Sequence, residues 1–321
     1  MADVTVRGWL ARNRIALIAA AVIALYAAFV QYAWGWASIL SGWRDVGVLK
    51  VFLALALLVG TYFIRTHRMQ DYFPRETAGR FLWLFRVTQI HNLLNIMLPF
   101  RTGETSFPLL MRSEFGVPLA HGASALLVLR LLDLHALLAA GGAGLVAATG
   151  YKPWACAALA LFFVAPVLVF PLKDHAIGLV RTRAGKRISA LMDQVSDGIP
   201  GDLPAFLRAW FLTVLNWGVK VLVLAWILKL MGVDPIAACF GGALGGELSS
   251  VLPVHAPGGV GTYPAGIVAG AAAFGVGTGL ATVAKAGINA HLLTIISALV
   301  GTCLSLILPA LAGVQRHRTS N

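Results

Sequence analysis

Several apolar stretches of this chain run longer than the roughly 18 residues that mark a membrane span, and this decides the solvent in which it folds. Full spans are expected at about 15–33, 46–64, 118–149, 153–172, 205–231 and 280–311. Hydrocarbon offers no water to backbone N–H and C=O groups, so each span is expected as a helix that satisfies its own backbone. The chain is 59% hydrophobic and 12% charged, with a mean hydropathy of +0.81, which predicts one membrane domain over residues 1–321 and no separate soluble module. Arg7, Arg12 and Arg14 precede an apolar run that meets Tyr32, Trp34 and Trp36, the pattern of a retained first helix rather than a cleaved leader. Cys156, Cys239 and Cys303 lie far apart in apolar segments and read as small core residues, so neither a disulfide frame nor a metal site is expected.

Two other apolar segments are interrupted, and the interruptions match. Gly103-Glu104-Thr105-Ser106-Phe107-Pro108 returns 156 residues later as Gly259-Val260-Gly261-Thr262-Tyr263-Pro264. Asp133-Leu134-His135 returns at the same offset as Asn289-Ala290-His291. A weak internal repeat of broken apolar helices marks transporters built from two related halves. Residues 80–98 lead into the first interruption and 235–252 into the second, followed by short helices at 109–116 and about 265–275. Proline removes a backbone donor and glycine frees the backbone, so neither interruption continues a helix. Unwound backbone at membrane depth needs protein or a wet cavity around it. Both segments are therefore expected as re-entrant helical hairpins, one in a repeat over 80–150 and one in a repeat over 235–311. The predicted fold is an all-α polytopic membrane protein with about six transmembrane helices and two inverted-repeat hairpins.

Lys and Arg counts orient this topology. The side that holds the N-terminus would receive 15 of them in the N-terminal arm, 65–80, 173–208 and the tail, against 4 on the other side. That excess places both termini in the cytoplasm. Hairpin one then falls on the cytoplasmic side and hairpin two on the outer side, so the repeats are inverted. The formal charge of +12 reads as basic loops held against anionic inner-leaflet lipid, not as a nucleic-acid surface. Residues 175–200 read either as an amphipathic helix on that leaflet or as a solvated basic loop.

Ionisable groups at membrane depth are costly and usually face a cavity or a partner. Arg101 and Glu104 in the first loop either hold a phosphate and a cation or staple the loop to each other. The helix beginning near Pro108 would aim its N-terminus, with Ser106, at the same place. Arg130 and Asp133 share a helix face and fit an internal ion pair equally well. His135 and His291 are candidate proton carriers or packing histidines. Glu247 has no basic residue within four positions, and Arg101 of the opposed hairpin is its expected partner; Glu247 is also a candidate for proton coupling. His255, Thr262 and Tyr263 line the second loop. Gly241, Gly242, Gly245 and Gly246 are spaced for close helix packing. Phosphate-loop, zinc-protease and nucleophile-elbow motifs are absent, so ATP-driven transport and enzymatic catalysis are not expected, and no cofactor is implied.

Pro99-Phe100-Arg101-x-Gly103-Glu104-x-x-Phe107-Pro108, the following Met111-Arg112, Arg130-x-x-Asp133 and Pro257-Gly258-Gly259-x-Gly261-x-x-Pro264 resemble the lysylphosphatidylglycerol synthase/flippase membrane-domain family. The likeness runs from about residue 15 through nearly the whole chain. It implies movement of a lipid between leaflets, with Arg101, Glu104, Ser106, Arg112, Arg130, Asp133, Glu247, His255, Thr262 and Tyr263 as candidate head-group contacts. No aminoacyl-transfer sequence accompanies them, so a translocator rather than a synthase is expected, its lipid unspecified. Membrane lipids are the expected substrate, and lipid-synthesis enzymes or further copies of the chain are candidate partners. Two alternatives stay open: a small-solute or ion transporter, and a non-transporting partner of a lipid-synthesis complex. An intramembrane lipid enzyme would need a nucleophile with a base in reach, and no convincing pair is present.

Overall fold

A computed structural model describes residue 17, residues 21–175, 178–179, 185, 189, 193 and 196, and residues 198–251 and 256–312, with the side chains of 99–101 excepted. His255, most of 175–200, and the arginines of both chain ends lie outside the described residues. Within them the chain is all helical: α1 (Ala21–Ala33), α2 (Trp36–Leu40), α3 (Gly42–Val46), α4 (Val48–Gln70), α5 (Phe81–Met97), α6 (Ser106–Phe115), α7 (Leu119–Ala148), α8 (Pro153–Val169), α9 (Leu203–Leu230), α10 (Ile236–Val251), α11 (Thr262–Ala273) and α12 (Leu280–Leu311). Short 3-10 turns at Pro99–Thr105 and Pro257–Gly259 precede α6 and α11.

Five helices are long and apolar enough to span a bilayer: α4, α7, α8 with its extension to His175, α9 and α12. The expected first span departs from a straight rod. The helix Ala21–Ala33 bends by 83° into Trp36–Val46, and the pair makes a sixth span only if taken together. Gly35 at φ +73° ends the first piece and Gly47 at φ +84° separates the second from α4. The span expected at 46–64 also runs on, to Gln70. No breaker occurs between Ile64 and Pro74, so the helix carries Arg65 and Arg68 with it. Those two arginines therefore belong to a helix and not to the loop in which they were counted.

The start of α9 follows from its sequence: the Asp202 carboxylate accepts from the Ala205 N–H at 2.8 Å, and Pro204 occupies the first turn, where its missing N–H costs nothing. Side chains of α7 and α9 are about half buried, whereas α8 buries almost none of its apolar window. Leu161, Phe162, Leu168 and Val169 point outward, as a helix against hydrocarbon requires. One core packs Phe73, Trp83, Phe107 and Phe206 between α5, α6, α7 and α9. A second packs Leu137, Leu224, Leu228 and Ile267 between α7, α9 and α11.

Both interrupted segments fold back on themselves. α10 and α11 form an antiparallel hairpin whose seam is glycine on both sides. A Cβ on Gly270 would lie 2.0 Å from the Gly241 carbonyl oxygen, and one on Gly245 would lie 2.2 Å from that of Gly266. α5 and α6 are joined differently: the turn lies so close to the end of α5 that a Cβ on Gly103 would sit 2.5 Å from the Leu94 carbonyl oxygen. The two 3-10 turns touch each other. Gly270→Ala is expected to lower stability by about 1–3 kcal/mol through overpacking. Gly60→Ala, where an added Cβ meets nothing within 4 Å, should leave it unchanged. Thermal unfolding of both variants in detergent micelles checks this.

Candidate functional site

Beside the two turns lies a small cavity of about 70 Å³, partly open to the outside. Its wall draws on Tyr62 and Arg65 of α4, Asn92 and Asn95 of α5, Arg130 of α7, Trp217 and Lys220 of α9, Glu247 of α10, Tyr263 of α11 and His291 of α12. Every long helix except α8 thus contributes, and both hairpins reach it.

The charges are wired in two groups. Asp133 is the hub of the first. Its Oδ1 accepts from Arg68 Nη1 at 2.5 Å and from the Trp217 indole N–H at 2.8 Å, and its Oδ2 from Arg130 Nη1 at 3.3 Å. Arg68 and Asp133 are both only 1% exposed, and Arg68 also donates to Thr213 at 2.9 Å. Arg130 reaches from the hub to Glu104 in the first turn, Nε to Oε1 at 2.9 Å. In the second group Lys220 Nζ donates to Glu247 Oε2 at 2.8 Å and the Tyr263 hydroxyl donates to Oε1 at 2.9 Å. Trp217 connects the groups, since the Lys220 ammonium sits 4.8 Å from its ring centroid while its N–H bonds the hub. Tyr263 stacks on His291 at 4.9 Å, and Tyr62 bonds Ser297 at 2.8 Å.

This geometry redraws several expectations. Among the described residues Glu247 pairs with Lys220, supplied by the neighbouring span; any contact with the expected Arg101 falls outside the described residues. Glu104 pairs with Arg130 across 26 positions; the Arg101 side chain lies outside the described residues. Arg130 and Asp133 do pair along their helix. Arg130, Glu247, Tyr263 and His291 line the cavity, whereas Ser106, Arg112, His135 and Thr262 do not. Arg112 is exposed on α6. His135 packs on Phe162 at 4.6 Å with Nε2 donating to the Phe163 carbonyl at 3.2 Å, so the two repeat-related histidines occupy different surroundings. Ser106 and Thr262 each donate to the carbonyl three residues back, of Gly103 at 2.6 Å and Gly259 at 3.2 Å, and so brace the turns. Among the described residues no group of three His, Cys, Asp or Glu could hold a metal ion.

Arg65 and Arg68 were assigned to a loop by their charge; the missing breaker before Pro74 was the signal that they belong to α4. Lys220 stands out as a cation inside an apolar helix, but nothing local to it points to Glu247.

A second space adjoins the first. A groove of about 570 Å³ runs between α7, α8 and α9, lined by Ala136, Ala140, Leu159, Phe163, Val221 and Phe240. It carries no charged side chain, and Trp217 is a wall of both spaces.

The family model for the lysylphosphatidylglycerol synthase TM region matches residues 16–301. No curated protein and no solved structure matches the chain.

Removing one partner of a buried ion pair strands the other charge, at a cost of about 3–5 kcal/mol. Asp133→Ala is therefore expected to lower the unfolding midpoint sharply, and Arg68→Met combined with Asp133→Leu to recover most of it. A double-mutant cycle of thermal unfolding in detergent reads both.

Proposed function

Because the chain belongs to the lysylphosphatidylglycerol synthase TM-region family, we propose that this multi-pass membrane protein moves a phospholipid between leaflets. The observation that carries this reading is the shared wall at Trp217: a charge-lined cavity lies on one side and an apolar groove on the other. That pairing suits a molecule with a polar end and a hydrocarbon end. A soluble ion or solute would have no use for the groove.

On this reading the two hairpins enter the membrane from opposite sides and return, and their touching turns close the path between the leaflets. The internal repeat is supported by the hydroxyl-to-carbonyl bonds of Ser106 and Thr262, which brace the two turns in the same way 156 positions apart. Arg130 and Lys220 would face the head group, with Trp217 at the point where head group gives way to chain. Alternating access would come from rocking the α10–α11 hairpin against α4 and α5. The protein would act without bond chemistry, in a bacterial inner membrane with both termini inside, its basic loops on anionic lipid. A lipid-synthesis enzyme is the fitting source of its substrate.

Reconstitution into liposomes with fluorescent phospholipids and an outside quencher tests the reading. Wild type is expected to expose inner-leaflet probe to the quencher. Glu247→Gln keeps an acceptor for Tyr263 but loses the charge opposite Lys220, and should slow exchange by about tenfold, equivalent to about 1.4 kcal/mol of barrier. Signal no greater than that of protein-free liposomes for every head group would sink the proposal.

A further inference from the structure

The balance of charge in and behind the cavity wall narrows the head group. Four cations, Arg65, Arg68, Arg130 and Lys220, meet three carboxylates, Glu104, Asp133 and Glu247, which leaves one positive charge in excess among the described residues. All three carboxylates are already engaged. Asp133 accepts from Arg68, Trp217 and Arg130, Glu247 from Lys220 and Tyr263, and Glu104 from Arg130.

Arg65 is the exception. It lines the cavity half-buried and donates from Nη1 to the Asn92 Oδ1 at 2.9 Å, a neutral acceptor, and among the described residues it forms no ion pair. That bond also fixes which way the Asn92 amide faces, because a guanidinium only donates. Its Nδ2 is consequently a donor, buried against the same cavity with no acceptor. A guanidinium and an amide N–H side by side, lacking an anion, match a phosphate oxygen pair.

We infer that the cavity takes a lipid head group with one phosphate charge and an otherwise uncharged remainder, at Arg65 and Asn92, and rejects head groups that carry an amine. An ammonium would find a neutral acceptor in Asn95 Oδ1 but no unengaged carboxylate, and to be neutralised it would have to displace Lys220 or Arg130 from theirs. The inference rests on the lipid-translocation reading and names its substrate class.

Equilibrium binding in detergent, followed by native mass spectrometry, tests it with phosphatidylglycerol, phosphatidylethanolamine and lysylphosphatidylglycerol as probes. Wild type should prefer phosphatidylglycerol over the lysyl lipid by about tenfold or more, the worth of one charge-assisted contact. Arg65→Gln should weaken phosphatidylglycerol binding by about tenfold through loss of the phosphate contact, and Arg65→Lys should keep most of it, which separates lost charge from lost fold. Equal or tighter binding of the lysyl lipid, or unchanged binding in Arg65→Gln, overturns the inference. The same probes in liposomes separate it from the broader reading. Selective binding with no translocation defeats the translocase and leaves the site. Translocation that is fastest for the lysyl lipid defeats the site and leaves the translocase.

Discussion

The architecture hangs on a carboxylate that no water reaches. Asp133 draws a guanidinium from α4, a guanidinium from its own helix and an indole N–H from α9 onto two oxygen atoms. A buried charge without partners would be prohibitive in a membrane interior, so these three helices assemble in one register only. Through Arg130 the hub extends to Glu104 and positions the first turn. Through Trp217 and Lys220 it extends to Glu247 and, by way of Tyr263, to the second. The site and the scaffold are therefore one network. A change at the hub is felt at both turns, whereas Arg65 is bonded to Asn92 and, among the described residues, makes no hydrogen bond to the hub.

Local signals carried most of the fold. Hydropathy located α4, α7, α8, α9 and α12 to within a few residues, apart from the far end of α4, because a span must satisfy its backbone within itself. Proline and glycine located both turns, since they act on the residue where they stand. Composition could not see the 83° bend near Trp34, where apolar residues continue on both sides of Gly35. It also misplaced the end of α4, because charge was taken as a sign of water when it was a sign of a partner.

The site was less legible than the fold for a related reason. Arg130 with Asp133 is an i, i+3 pair and can be read from spacing. Lys220 with Glu247 and Arg68 with Asp133 join different helices, across 27 and 65 positions, and only packing brings them together. The glycines at 103 and 259 illustrate the same limit. They align in the repeat, yet one is needed because backbone approaches backbone at Leu94, and the other because its φ is +67°. A shared letter there stands for two different physical demands.

The glycine seam between α10 and α11 sets how the second hairpin can take part in any motion. Its helices touch backbone to backbone at Gly241 with Gly270 and at Gly245 with Gly266, with the Phe274 and Ser249 side chains closing on the same seam. A slip of one turn would carry the β-branched Thr262 into the berth of Gly266, where even a methyl group does not fit. Ratcheting in that direction is thus closed off, and the seam resists sliding of one helix along the other. The α5–α6 hairpin has side chains at its seam, with His91 against Phe107 and Ser106, and its close backbone approach is at the turn, Gly103 against Leu94. Of the two arms that meet at the cavity, one is locked along its helices and the other at its turn.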